Sequence, residues 1–116
     1  MTDQHRAHLD ALRAETTARI ARLSDDIAAL RADRGDGTAD DEHDPEGVTL
    51  SAEWSMLEGL REQERRTLSE IEGSLERLAD GAGGRCVDCG GIIPAARLEA
   101  RPTAVRCVAC AERAGL

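Results

Sequence analysis

Aromatic side chains are nearly missing from this sequence. Trp54 stands alone, with no Phe and no Tyr among 116 residues. A chain this short and this poor in large rings cannot fill a sizeable globular core. Lysine is missing as well, so arginine carries all the fixed positive charge. No apolar run approaches the roughly 18 residues that a membrane-spanning helix needs, so no membrane association is expected. The opening stretch, MTDQHRAHLDALRAE, is polar and charged and does not read as a secretory signal. A cytoplasmic location is the expectation. A basic face is also missing. The net charge is −8, whereas nucleic-acid-binding domains are usually strongly basic. Direct binding to nucleic acid is therefore not expected, and a basic protein surface is the better partner.

The charge is uneven. Residues 1–34 carry six acids and six arginines, and residues 35–50 carry six acids and no base. Residues 51–80 sum to −4 and residues 81–116 to +2. Ala, Leu, Glu and Arg dominate the first two-thirds, which is a long-helix composition.

Residues 3–34 place Leu9, Leu12, Thr16, Ile20, Leu23, Ile27 and Leu30 at gaps of three and four that average 3.5. That spacing is a heptad seam. Residues 50–80 carry a second stripe of Leu50, Trp54, Leu57, Leu60, Leu68, Ile71, Leu75 and Leu78. Folded back antiparallel, the stripes set Leu30 against Trp54, Ile27 against Leu57, Leu12 against Ile71 and Leu9 against Leu75. The layers weaken where Ile20 faces Glu64 and Thr16 faces Leu68. Such polar positions hold register at a cost in stability. Thr49 or Ser51 is placed to cap the second helix, and Gly81 to end it. A homodimeric coiled coil is the competing use of these stripes. Matched lengths and a break of fifteen residues with three glycines favour an intramolecular hairpin and a monomer.

The break itself, residues 35–49, reads GDGTADDEHDPEGVT. It is expected to be a loop at the tip of the hairpin. Asp36, Asp40, Asp41, Glu42, Asp44 and Glu46 crowd it with no positive charge. A solvated linker is the plain reading, and a probe that carries carboxylates to a basic or magnesium-containing site is the functional one. Thirty helical residues reach about 45 Å.

All four cysteines lie in the last third. Cys86 and Cys89 form one CxxC pair, Cys107 and Cys110 another, with seventeen residues between the pairs. Two such pairs can close around one tetrahedral zinc ion. Four thiolates leave no open position for a catalytic water, so the metal is expected to be structural. Two disulfides or a redox dithiol are the alternatives, and disulfides suit secreted chains. Residues 81–85, GAGGR, read as a flexible hinge. Pro94 suits the first turn of a short helix, PAARLEA. Ile92, Ile93, Leu98 and Val105 are expected to pack beneath the metal. The architecture is thus mostly α: an antiparallel coiled-coil hairpin over 1–80, then a hinge and a small four-cysteine zinc finger over 81–116.

The run Cys86, Cys89, Gly90, Ile93, Arg97, Leu98, Glu99, Ala100, Arg101, Pro102, Cys107, Cys110 resembles the zinc finger of the DksA/TraR family. That resemblance implies a bacterial regulator that binds RNA polymerase in its secondary channel and alters the lifetime of initiation complexes. It also implies that Asp41 and Asp44, which match two aspartates of a D-x-x-D-x-A tip motif, act near the polymerase active centre. Glu46 stands where that motif has alanine. In the family an arginine of RLEARP and a basic residue after the last cysteine help hold guanosine tetraphosphate. Arg101 matches the first and Ala111 stands at the second, so binding of that nucleotide stays open. Arg97 and Arg101 are candidates for an anion or polymerase-rim contact. On this reading the chain is not an enzyme. A zinc–thiol redox sensor or holdase, and a coiled-coil adaptor, are the competing functions.

Overall fold

The structure, a computed structural model, describes residues 2–35 and 45–116, with side-chain surroundings for residues 3–32 and 49–116. Among the described residues, four helices account for the regular structure: α1 (Thr2–Gly35), α2 (Pro45–Ala79), α3 (Ala95–Ala100) and α4 (Val108–Arg113). Among the described residues there is no extended sheet, only an isolated antiparallel bridge between Arg85 and Ile92.

α2 begins at Pro45, before the expected start at residue 50. Proline at the first helical position loses no intrahelical hydrogen bond and arrives with a helical φ. Thr49 and Ser51 therefore lie inside the helix and do not cap it. The far end matches expectation. Gly81 takes a φ of +81°, which suits glycine. Its N–H donates to the Leu78 carbonyl at 3.2 Å, and the Ala82 N–H to Arg77 at 2.8 Å. This paired closure satisfies carbonyls that the helix end would leave open.

The chain divides into two compact units, and the division does not fall at residue 81. One unit comprises Met1–Glu15 and Leu68–Leu116, the other Thr16–Thr67. In the first, Leu9, Ile71 and Leu78 are buried, with Leu12 and Leu75 packed on them. This is the antiparallel register that the stripes predict. Complete burial of Leu9 and Ile71 stabilises by roughly 1.5–3 kcal/mol each. A second small core joins Cys86, Ile93 and Cys110, with Leu98 and Cys107 against it.

In the unit Thr16–Thr67, Ile27 is buried. Pairing is antiparallel here too. Arg19 Nε lies 3.2 Å from Glu64 Oε1, Arg61 Nη1 donates to Ser24 Oγ at 3.3 Å, and the Arg31 guanidinium sits 5.2 Å from the Trp54 ring centroid. Thr16 is fully buried, and its hydroxyl accepts from Arg19 Nη2 at 3.2 Å. Leu60, expected on the buried stripe, is 44% exposed. The strict heptad drifts around a helix of 3.6 residues per turn, and Leu60 falls on the outward side of that drift.

Candidate metal centre

The first cysteine pair sits on a tight knuckle. The Cys86 N–H donates to the Gly91 carbonyl at 2.8 Å and the Gly90 N–H returns to Cys86 at 3.0 Å. Gly90 has a φ of +73°, a conformation that disfavours a β-carbon. The second pair is built on α4: Cys107 is the residue before its first turn, and Cys110 lies within it. A Val87 N–H to Val105 carbonyl bond of 2.9 Å ties one knuckle to the approach of the other.

These elements bring all four sulfurs within 4.8 Å of one another. Cys89 Sγ and Cys107 Sγ are 3.9 Å apart. Zinc–sulfur bonds of about 2.3 Å in a tetrahedron require sulfurs about 3.8 Å apart. None of the four is in a disulfide. Backbone N–H groups of Cys89, then of Cys107 and Asp88, bring the Cys86 thiol down to about 6. Hydrogen bonding with Cys107, then with Cys86, together with burial, pushes Cys110 up to about 12. The shifts run in opposite directions because the sulfurs lie close enough to share hydrogen bonds with one another and with the knuckle backbone. The donor set therefore fits one structural zinc ion, held by Cys86, Cys89, Cys107 and Cys110, and leaves no open coordination position.

The surroundings of the site were only partly legible in the sequence. Ile93 and Leu98 pack beneath it as expected, but Ile92 is 74% exposed. Its bridge to Arg85 alternates consecutive side chains, so Ile93 turns in and Ile92 out. The segment 81–85, expected as a hinge, is tied down. Arg77 Nη2 donates to the Ala82 carbonyl at 3.2 Å and the Arg85 carbonyl at 2.7 Å, and Ile93 N–H donates to Gly84 at 2.7 Å.

Arg97, a candidate anion contact, is half-buried, and its Nε donates to the Arg106 carbonyl at 2.8 Å. Arg106 Nε in turn pairs with Asp88 Oδ2 at 2.7 Å. The two arginines brace α3 and both knuckles. Arg101 is exposed just past α3. Asp41 and Asp44 lie outside the described residues. Two contacts escaped the sequence reading. His5 Nε2 bonds the Pro102 carbonyl at 2.8 Å, a pairing that nothing local announces. Arg113 Nη2 lies 3.8 Å from Cys110 Sγ, and its position three residues after a ligand on a helix was the available signal.

Residues 81–114 match the prokaryotic DksA/TraR C4-type zinc finger. The chain is 45% identical over 53 residues to the RNA polymerase-binding transcription factor DksA of Caulobacter vibrioides, covering 46% of this chain and 37% of that protein. It is 41% identical over 58 residues to the DksA of Escherichia coli, covering 50% and 38%. These matches span little more than a third of each curated relative's length. The structure of transcription factor DksA2 from Pseudomonas aeruginosa superposes with a TM-score of 0.85 at 29% identity, covering 98% of this chain and 82% of that one.

Proposed function

Starting from a DksA-like chain with a DksA/TraR C4 zinc finger, we propose that it is a transcription factor that binds RNA polymerase rather than DNA. The observation that carries this reading is the likeness to DksA2 over 98% of the chain, hairpin and finger together. A finger alone is a generic docking module, whereas the finger joined to a long helical pair is the arrangement of a polymerase factor. The acidic balance of −8 agrees with a basic protein partner.

In finer terms, the finger rests at the rim of the polymerase secondary channel and the hairpin enters it. Asp41 and Asp44 then act near the active centre and change the lifetime of the initiation complex. Arg101, exposed and past α3, is the candidate rim or anion contact. Arg97 contributes by bracing the second knuckle. No step in this account is catalytic. The test is open-complex lifetime on a ribosomal RNA promoter with the cognate polymerase. Zinc-loaded wild type shortens or lengthens it, and Asp41→Asn with Asp44→Asn binds polymerase without doing so. A chain that does not bind polymerase overturns the proposal.

One observation favours a second reading. Cys89 is exposed, and its sulfur is 3.9 Å from that of Cys107, so thiol oxidation with zinc release is sterically open. Zinc retained under micromolar peroxide removes that reading.

A further inference from the structure

We propose that Arg113 is a positioning residue of the metal centre, its guanidinium held against Cys110 Sγ to offset the negative charge of the four-thiolate site. Zinc with four thiolates leaves two negative charges in excess. Neutral donors relieve part of that charge, among them the Gly91 N–H, 3.4 Å from Cys89 Sγ. Among the described residues, Arg113 brings the only cationic hydrogen-bond donor to a sulfur, at 3.8 Å. The nearby Arg106 is spent on Asp88 at 2.7 Å, and Arg97 on a carbonyl.

The placement follows from α4. A residue three positions after Cys110 shares its face of the helix. Cys110 is only 5% exposed, so the charge acts on a sulfur that water screens poorly. A cation at this distance draws electron density from the sulfur. That makes the thiolate a weaker nucleophile, while the added positive charge offsets the excess negative charge of the four-thiolate site and so favours its metal-bound form. Outer partners of this kind typically change metal affinity 10–100-fold. Arg113 is also exposed on its outer side, so the lower end is expected.

The test uses the full chain and no polymerase, so it stands apart from the transcriptional reading. Zinc affinity is measured by chelator competition for wild type, Arg113→Gln and Arg113→Lys. The same three proteins are loaded with cobalt(II), and the sulfur-to-metal charge-transfer band is recorded. Arg113→Gln is expected to lose about 10-fold in zinc affinity and to shift the band to lower energy, while Arg113→Lys stays near wild type in both. An Arg113→Gln band that does not move overturns the proposal, even if affinity falls, because the loss then reflects only the stability of α4. Arg113→Lys behaving like Arg113→Gln also overturns it. Wild type that takes up no metal overturns the centre itself and this proposal with it.

Discussion

The His5 ring donates from Nε2 to the Pro102 carbonyl at 2.8 Å. A carbonyl only accepts, so Nε2 carries the proton. This one bond fastens the first turns of α1 to the segment just past α3. His5→Ala is expected to destabilise the unit containing the finger by about 1 kcal/mol, the usual net worth of a part-buried hydrogen bond. Urea unfolding followed through finger amide exchange measures it, and unchanged protection would mean the bond contributes nothing.

Arg19 and Glu64 pair at 3.2 Å, yet Glu64 Oε2 is buried with no partner. Removing that carboxylate while keeping its bulk relieves a desolvation cost. Arg19→Met with Glu64→Leu and Thr16→Val, the last removing the buried hydroxyl that Arg19 satisfies, is expected to raise the melting temperature by a few degrees. A lower melting temperature would show that the ion pair stabilises more than its burial costs.

Trp54 Nε1 donates to Glu58 Oε1 at 2.9 Å. That bond first, and then Arg61 and Arg31, hold the Glu58 carboxyl below its ordinary 4.5. A carboxyl lowered in the folded state adds stability above its ordinary value. That stability is lost as the pH falls through the lower, folded value. As the single aromatic residue, Trp54 reports the transition directly. Its emission is expected to change in this acid window, and Glu58→Gln to abolish the change.

Gly83 has no room for a side chain. A β-carbon there would clash with Leu78 Cδ2 and sit 3.0 Å from Leu78 Cα. Gly83→Ala is expected to cost about 1–3 kcal/mol by overpacking. Gly73→Ala, where a β-carbon meets nothing within 4 Å, should gain up to about 1 kcal/mol through helix propensity. Paired thermal melts compare the two.

Metal removal should act locally. Two of the three buried members of the finger core are the ligands Cys86 and Cys110. Their folding energy is metal-binding energy. A chelator is expected to expose Ile93 and abolish amide protection over 86–113. Most far-UV helix signal from α1 and α2 should survive at moderate temperature. Complete loss of that signal would mean that the whole chain depends on the finger.

What the sequence determined by itself was whatever depends on local spacing. Two CxxC pairs state a four-thiolate site because a knuckle is a short-range turn. Heptad stripes state a helical pair because periodicity aligns a face along one element, and Leu9, Leu12, Ile71 and Leu75 found that pairing. Tertiary structure alone decided which neighbours complete each surface. It turned Ile92 outward and Ile93 inward. It engaged Arg97 in bracing a knuckle and joined His5 to Pro102 across 97 positions. Those outcomes depend on packing and charge between residues distant in sequence, and no local pattern encodes which of several arginines reaches which acceptor.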